Sequence, residues 1–249
     1  MYKLYVIPGS HACRSAMLML EHKHVHYRRI DVITLTHPLV VRMLGFDAGG
    51  ERRVAGSQRP RPLRAGDRYG TVPALAFETQ RISTNRQIAR FLDDRQPEPS
   101  LFPAEAAQRR TVEDIERWAN GTLQMEARRI TLAWAARDPS AMSRATADGR
   151  MGYLLYRRAL TRRLIMPQIG RLVFAVERAD PDPLADLPSL LDRIDAWIAD
   201  GLLGGEQLNA ADFMVAPSLA LILYRPDAVP LFEGRPALEL VDRLLPKPA

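Results

Sequence analysis

The chain has 249 residues, 47% of them apolar and 26% charged, so it can bury a core and does not have the composition of a disordered tail. Its best apolar run, Phe213 to Tyr224, is shorter than the ~20 residues a membrane-spanning helix needs and contains Pro217 and Ser218. Leu4 to Ile7, ahead of Pro8-Gly9, is too short for a signal-peptide core, so a cytoplasmic protein with no membrane span is expected. The single cysteine, Cys13, excludes an intramolecular disulfide and any multi-cysteine metal cage.

The net charge of +6 is unevenly spread. Residues 51–68 hold six arginines against Glu51 and Asp67, and residues 150–171 hold six arginines and no acid. Neither stretch carries a nucleic-acid docking motif or the interleaved aromatics of a single-strand platform, so solvated surface is expected and no nucleic-acid partner.

In chain order, Tyr2 to Ile7 reads as a strand closed by Pro8-Gly9, and Ala12 to Lys23 as a helix with Ala16, Met17 and Leu20 at helical spacing. Val25 to Val32 reads as a second strand. This β-α-β opening predicts parallel strands and a right-handed crossover. His37-Pro38 starts a short helix through Leu44, and residues 47–70 read as a long insertion rich in Gly, Pro and Arg. Val72 to Phe77 is a third strand, a short fourth lies around Ile82, and Arg86 to Arg95 is a helix ended by Pro97 and Pro99. From there the pattern is helical: Ala104 to Arg137, Ser140 to Ala179 with a kink at Pro167, Pro183 to Leu203, and Asn209 to Tyr224. The last is apolar on all sides and is expected at the centre of its bundle. The expected organisation is a domain over residues 1–97 with an insertion at about 45–70, a linker at 98–103, and an all-helical domain over 104–249.

Three places bring polar groups to the ends of elements. At Ser10, a strand gives way to a helix whose free N–H groups and dipole favour an anion, and the hydroxyl either caps the helix or donates to a bound sulfur. Val72-Pro73 opens a strand and is a candidate cis peptide that would leave the Val72 backbone able to pair with a peptide ligand; otherwise it is an edge proline. Thr84-Asn85 precede a helix and act as caps or as ligands for a carboxylate or amine. Together they fit a site for a short anionic peptide. Cys13, one turn into the helix, is expected to be packed and inert. His22, His24 and His26 alternate, but at a helix-to-strand junction where the dipole already favours histidine, so no metal site is expected.

The order Pro8-Gly9-Ser10-x-x-Cys13-Arg14-Ser15, Thr71-Val72-Pro73-Ala74-Leu75 and Ser83-Thr84-Asn85-Arg86-Gln87-Ile88-Ala89-Arg90-Phe91-Leu92 resembles the thioredoxin-like domain of the cytosolic glutathione S-transferase superfamily. The opening is most similar to its serine-type delta and theta classes. Gly205-Glu206-Gln207-Leu208-Asn209-Ala210-Ala211-Asp212-Phe213 resembles the superfamily's helical-domain signature, with Asn209 and Asp212 as a capping box. The resemblance implies a thioredoxin-like α/β domain followed by an all-α helical bundle, a homodimer, and a detoxifying transferase that joins glutathione to an apolar electrophile. It further implies that Ser10 donates to the glutathione sulfur, that Val72, preceding Pro73, pairs with the cysteinyl backbone, and that Thr84 and Asn85 face the γ-glutamyl end. Trp118, Thr122 and Met125 would line the second-substrate pocket, with Tyr153 and Tyr156 approaching the same cleft.

Two positions depart from the superfamily's pattern. Thr84 stands where an acidic residue is usual, and the segment before Val72 lacks the compact Lys or His that usually reaches the glycine carboxylate. Arg53, Arg64 and Arg68 are candidates to replace it. Changing all three to Ala is then expected to weaken glutathione binding about tenfold or more by calorimetry, whereas a merely solvated segment predicts no change. The same fold also serves non-catalytic ligand- or partner-binding proteins and glutathione-dependent reductases or lyases.

Overall fold

A computed structural model of the chain describes residues 1–33, 36–46, 72–137, 150 and 184–246. The arginine-rich 51–68 segment with Arg53, Arg64 and Arg68, the expected helix from Ser140 to Ala179 with Pro167, and Tyr153 and Tyr156 lie outside these residues.

Strand β1 (Tyr2–Val6), helix α1 (His11–His22) and strand β2 (Tyr27–Asp31) form the expected crossover, with β1 and β2 parallel from Tyr2 opposite Tyr27 to Val6 opposite Asp31. Helix α2 (His37–Met43) follows, with Pro38 in its first turn, where a missing N–H costs nothing. Strands β3 (Ala74–Phe77) and β4 (Gln80–Ser83) form a hairpin that pairs antiparallel with β1, giving a sheet of order β2-β1-β3-β4. Strand alternation sends Leu4, Val6 and Leu75 into the main core, while Ala74 and Ala76 point to the other face and pack with Val41 and Phe46.

Helix α3 (Asn85–Arg95) leads into the helical part: α4 (Ala106–Trp118), α5 (Gln124–Arg137), α6 (Leu187–Ala199), α7 (Asp212–Ile222) and α8 (Pro236–Leu244). The Ala104 to Arg137 helix is not one regular α-helix. A wide π turn at Ala119–Leu123 separates α4 from α5, and it contains Asn120-Gly121, two poor helix formers whose signal is visible in the sequence. Every residue of α7 is buried, and this helix packs against α1, α5 and α8, which makes it the axis of the molecule.

Asp212 fixes where α7 begins. Its fully buried carboxylate accepts from the N–H groups of Gly204 (2.7 Å) and Asn209 (2.9 Å), while the Asn209 Oδ1 accepts from Ala211 N–H (2.9 Å). That is the reciprocal capping read from the sequence, with Gly204 held as a further partner.

Two buried charges join the halves of the chain. Lys23 closes α1 and is 0% exposed, and its Nζ donates to Asp93 Oδ1 (2.7 Å), Gln96 O (2.6 Å) and Pro97 O (3.2 Å). Asp93 Oδ1 also accepts from Leu101 N–H (2.7 Å), so one ion pair ties the end of α1, the end of α3 and the connection to α4. Glu116 of α4, also 0% exposed, accepts from Arg86 Nε (3.1 Å) and from both terminal nitrogens of Arg90 (3.0 and 2.8 Å). Both arginines belong to the first turns of α3.

Candidate functional site

Strand register brings the three sequence candidates to one end of the sheet. Tyr5 of β1 pairs with Ala74 of β3, and Ala74 pairs with Ser83 of β4, so these three residues form one row across the strands. Ser10 follows β1 beyond that row, Pro73 immediately precedes Ala74, and Thr84 immediately follows Ser83. The starts of α1 and α3 therefore meet, and a direct bond proves it: Asn85 Nδ2 donates to Ala12 O at 2.9 Å. Two helix N-termini at one place concentrate free N–H groups and positive dipole ends.

Ser10 is the N-cap of α1, half-buried, and its Oγ accepts from Cys13 N–H at 3.4 Å. The Ser10 hydroxyl also lies within hydrogen-bond reach of the Cys13 sulfur, so a ligand that takes its proton does so in place of that contact. Val72-Pro73 is cis. Thr84 is the N-cap of α3, with its side chain accepting from Gln87 N–H (3.3 Å), at φ 71° and ψ 146°. Positive φ is rare for a β-branched residue, and such outliers collect at functional sites. Asn85 is 2% exposed, so its side chain is committed to the contact between the two helices, and its Oδ1 is buried without a partner.

The structure adds residues that the sequence did not single out for this site. His11, the first residue of α1, is buried, with its Nε2 unpartnered. Burial first, and then the Arg128 charge, holds its pKa well below 6.5 against a hydrogen bond with the Gln124 backbone, so the ring is neutral near pH 7. Arg128 of α5 thus reaches the start of α1 from the helical side, steadied by Gln124 Oε1 (3.2 Å) and near Met125 Sδ (3.7 Å). Cys13 is 1% exposed and accepts from Ile7 N–H (3.4 Å). Burial pushes its thiol up, outweighing Ser10, the Ile7 N–H and the charges of Arg128 and Arg29, so Cys13 is a packed, protonated thiol.

Trp118, Thr122 and Met125 do not present one regular stripe, because the π turn falls between Trp118 and Met125. Trp118 meets the Trp197 ring edge-on (centroids 5.0 Å) under Arg193 (5.6 Å), Thr122 is half-buried within the turn, and Met125 is 37% exposed. The alternating histidines diverge as well. His22 packs on Phe213 (5.0 Å), whereas His24 and His26 line a surface depression with Glu21, Val25 and Tyr27, at the far end of α1 from Ser10. Among the described residues no group of three or more His, Cys, Asp or Glu could hold a metal, and no helix is long and apolar enough to cross a membrane.

No protein-family model and no curated protein matches the chain. Solved structures do match it along its whole length. Glutathione transferase GSTFuA3 from Phanerochaete chrysosporium superimposes with a TM-score of 0.65 at 16% identity, covering 100% of this chain and 97% of that one. The chain has the glutathione S-transferase fold. Glutathione transferase F2 from Populus trichocarpa matches at TM-score 0.59 and 16% identity over 98% of this chain and 92% of its own. FzlA from C. crescentus matches at 0.57 and 18% over 98% and 87%. In the terms of the glutathione S-transferase fold, β1 to α3 are the thioredoxin-like part and α4 to α8 the helical part. The Ser10, Pro73 and Thr84 positions all belong to one end of the thioredoxin-like sheet.

Proposed function

We propose that the chain binds glutathione where α1 and α3 begin and transfers it to an apolar electrophile. The observation that carries this reading is the convergence of Ser10, the cis Val72-Pro73 peptide and the positive-φ Thr84 at one end of the sheet, joined by the Asn85 to Ala12 bond. An extended tripeptide laid across that end meets a hydroxyl at its cysteine, the Val72 backbone ahead of the paired part of β3 and a helix N-terminus at its glutamyl carboxylate.

In this reading Ser10 Oγ–H donates to the glutathione sulfur, and together with the α1 dipole it favours thiolate over thiol. The thiol proton leaves to solvent. The thiolate then forms a carbon–sulfur bond with the electrophile, whose leaving group departs with the displaced electron pair, or whose carbanion takes up a proton if the reaction is an addition. Trp118, Thr122 and Met125 belong to the helical side from which the electrophile approaches. A non-catalytic ligand-binding protein on this fold is the second reading, favoured by the burial of Asn85 and the neutral side chain at Thr84.

Turnover by the parent chain separates the two readings, and Ser10→Ala tests the part the hydroxyl plays. Loss of a charge-assisted hydrogen bond removes roughly 1.5–3 kcal/mol of thiolate stabilisation, equivalent to about ten- to a hundredfold in rate. The variant is expected to raise the pKa of the bound thiol, read from thiolate absorbance, and to cut turnover at pH 6.5 at least tenfold while binding glutathione within a few-fold of the parent. Equal turnover at pH 6.5 removes Ser10 from the mechanism.

A further inference from the structure

At the end of α1, away from Ser10, two neighbouring side chains are turned toward the rest of the chain. Lys23 is the buried ammonium that holds Asp93, Gln96 O and Pro97 O, and Gln96 Nε2 donates back to Lys23 O (2.6 Å). Beside it, the half-buried His22 lays its ring on Phe213 of α7 (centroids 5.0 Å), hydrogen-bonds the Ser100 backbone and keeps its Nε2 buried without a partner. Leu101 extends the contact, since its N–H donates to Asp93 and its carbonyl accepts from Ala210 N–H (2.8 Å). The ends of α1 and α3, the connection to α4 and the approach to α7 therefore meet in one knot, and that knot contains a neutral imidazole.

A proton added to His22 Nε2 finds no acceptor among the described residues. The charges that bear on the ring are those of Lys23 and His24, and both repel an imidazolium. The acids nearby are committed: Glu21 to Arg14 (2.9 Å) and the Tyr27 hydroxyl (3.4 Å), Asp93 to Lys23 and Leu101 N–H, and Asp212 to the N–H groups of Gly204 and Asn209. The last carbonyls of α1 give no help, because those of Met19, Leu20 and Glu21 already accept from the N–H groups of Lys23, Val25 and His24. A buried cation without a partner is costly, and the ring escapes that cost by turning out to water. We propose that this knot is an acid-released clasp between the thioredoxin-like and helical parts, opened when His22 takes a proton and its ring leaves Phe213. Burial, and then Lys23 and His24, hold the His22 pKa below 6.5 against the Ser100 bond, so the folded chain takes this proton less readily than the unfolded one. The contribution of the clasp is complete above pH 6.5 and is lost as pH falls below it. It does not depend on whether glutathione binds.

The test is amide hydrogen exchange on the full chain at about pH 7.5 and about pH 5, corrected for intrinsic rates, in the parent and in His22→Gln. Glutamine keeps a donor for the Ser100 carbonyl and does not titrate. His22→Leu, which fills the space against Phe213 and takes no proton either, decides the matter if the glutamine variant does not fold. The quantity read is protection in the variant divided by protection in the parent, which cancels the titration of Asp212 because both proteins share it. At Leu101 and Ala210 this ratio is expected to rise about fivefold or more from the higher pH to the lower, while at the amides of β1 and β3 it stays within about twofold. A smaller rise at Leu101 and Ala210 overturns the clasp. An equal rise in the strands also overturns it, since the whole molecule rather than the junction then responds to the proton.

Discussion

Asp212→Ala is expected to lower stability by about 2–4 kcal/mol and the midpoint of thermal unfolding by roughly 5–15 °C. The side chain is fully buried, and its removal orphans the N–H groups of Gly204 and Asn209 at the start of the helix around which the others pack. Burial also raises the carboxyl pKa from 3.8 to about 6, against the two hydrogen bonds and the charge of Arg243. The sign of the resulting pH dependence follows from this. A folded-state pKa above the unfolded one means that the native chain holds the proton more tightly, so the contribution is complete below pH 3.8 and is lost as pH rises through about 6. A shift of that size corresponds to about 3 kcal/mol. Asp212→Asn removes the titration, so the stability difference between parent and variant should be largest near pH 4 and shrink toward pH 7. Urea unfolding at several pH values reads this directly, and a pH-independent difference would mean that the Asp212 carboxyl titrates alike in the folded and unfolded chain.

Glu116→Gln is expected to cost about 3 kcal/mol, near the lower end for breaking a buried ion pair. The glutamine leaves two guanidiniums side by side without the carboxylate that both grip, and the loss is softened because Arg86 and Arg90 are 14% and 31% exposed whereas Glu116 is 0% exposed. The consequence reaches the site, because both arginines lie in the opening turns of α3, one and five residues after Asn85. Combining Glu116→Gln with Arg90→Met should destabilise by less than the sum of the single changes, by about 1 kcal/mol or more, since the second change removes a charge that the first left with only the longer pair to Glu113 (3.7 Å). Strict additivity in urea would show that Arg90 and Glu116 act independently.

Much of the fold is legible in the chain because its signals are local. Pro8-Gly9 and Ser10 mark the first strand-to-helix change, the apolar run after Asn209 marks the central helix, and Asp212 three residues on marks its start. The short helix at His37 and the hairpin around Glu78 and Thr79 follow from Pro38 and from the two flanking strands. Helix α8 was equally open to reading, with Pro236 in its first turn and Ala237, Leu240, Val241 and Leu244 on one face, but its amphipathic stripe is short.

The charged groups that join the two halves of the chain are a different matter. Lys23 sits between two histidines and Glu116 between an isoleucine and an arginine, and nothing local distinguishes either from a solvated side chain. Their partners are 70 to 74 and 26 to 30 positions away, so their burial is a property of the assembled domains. Arg128 is likewise one arginine among many until α5 folds back toward α1. The π turn also hides from simple periodicity, since it shifts Met125 relative to Trp118 although the spacing of the two residues suits one helical face.

In the proposed function, glutathione lies across the end of the sheet where α1 and α3 begin. A crystal of the full chain grown or soaked with millimolar glutathione tests it most directly. The sulfur is expected within hydrogen-bond reach of Ser10 Oγ, the cysteinyl backbone paired with Val72, and the glutamyl carboxylate on the N–H groups at the start of α3. Glutathione bound elsewhere, or a sulfur beyond the reach of Ser10 with the α3 N-terminus open to solvent, would contradict it.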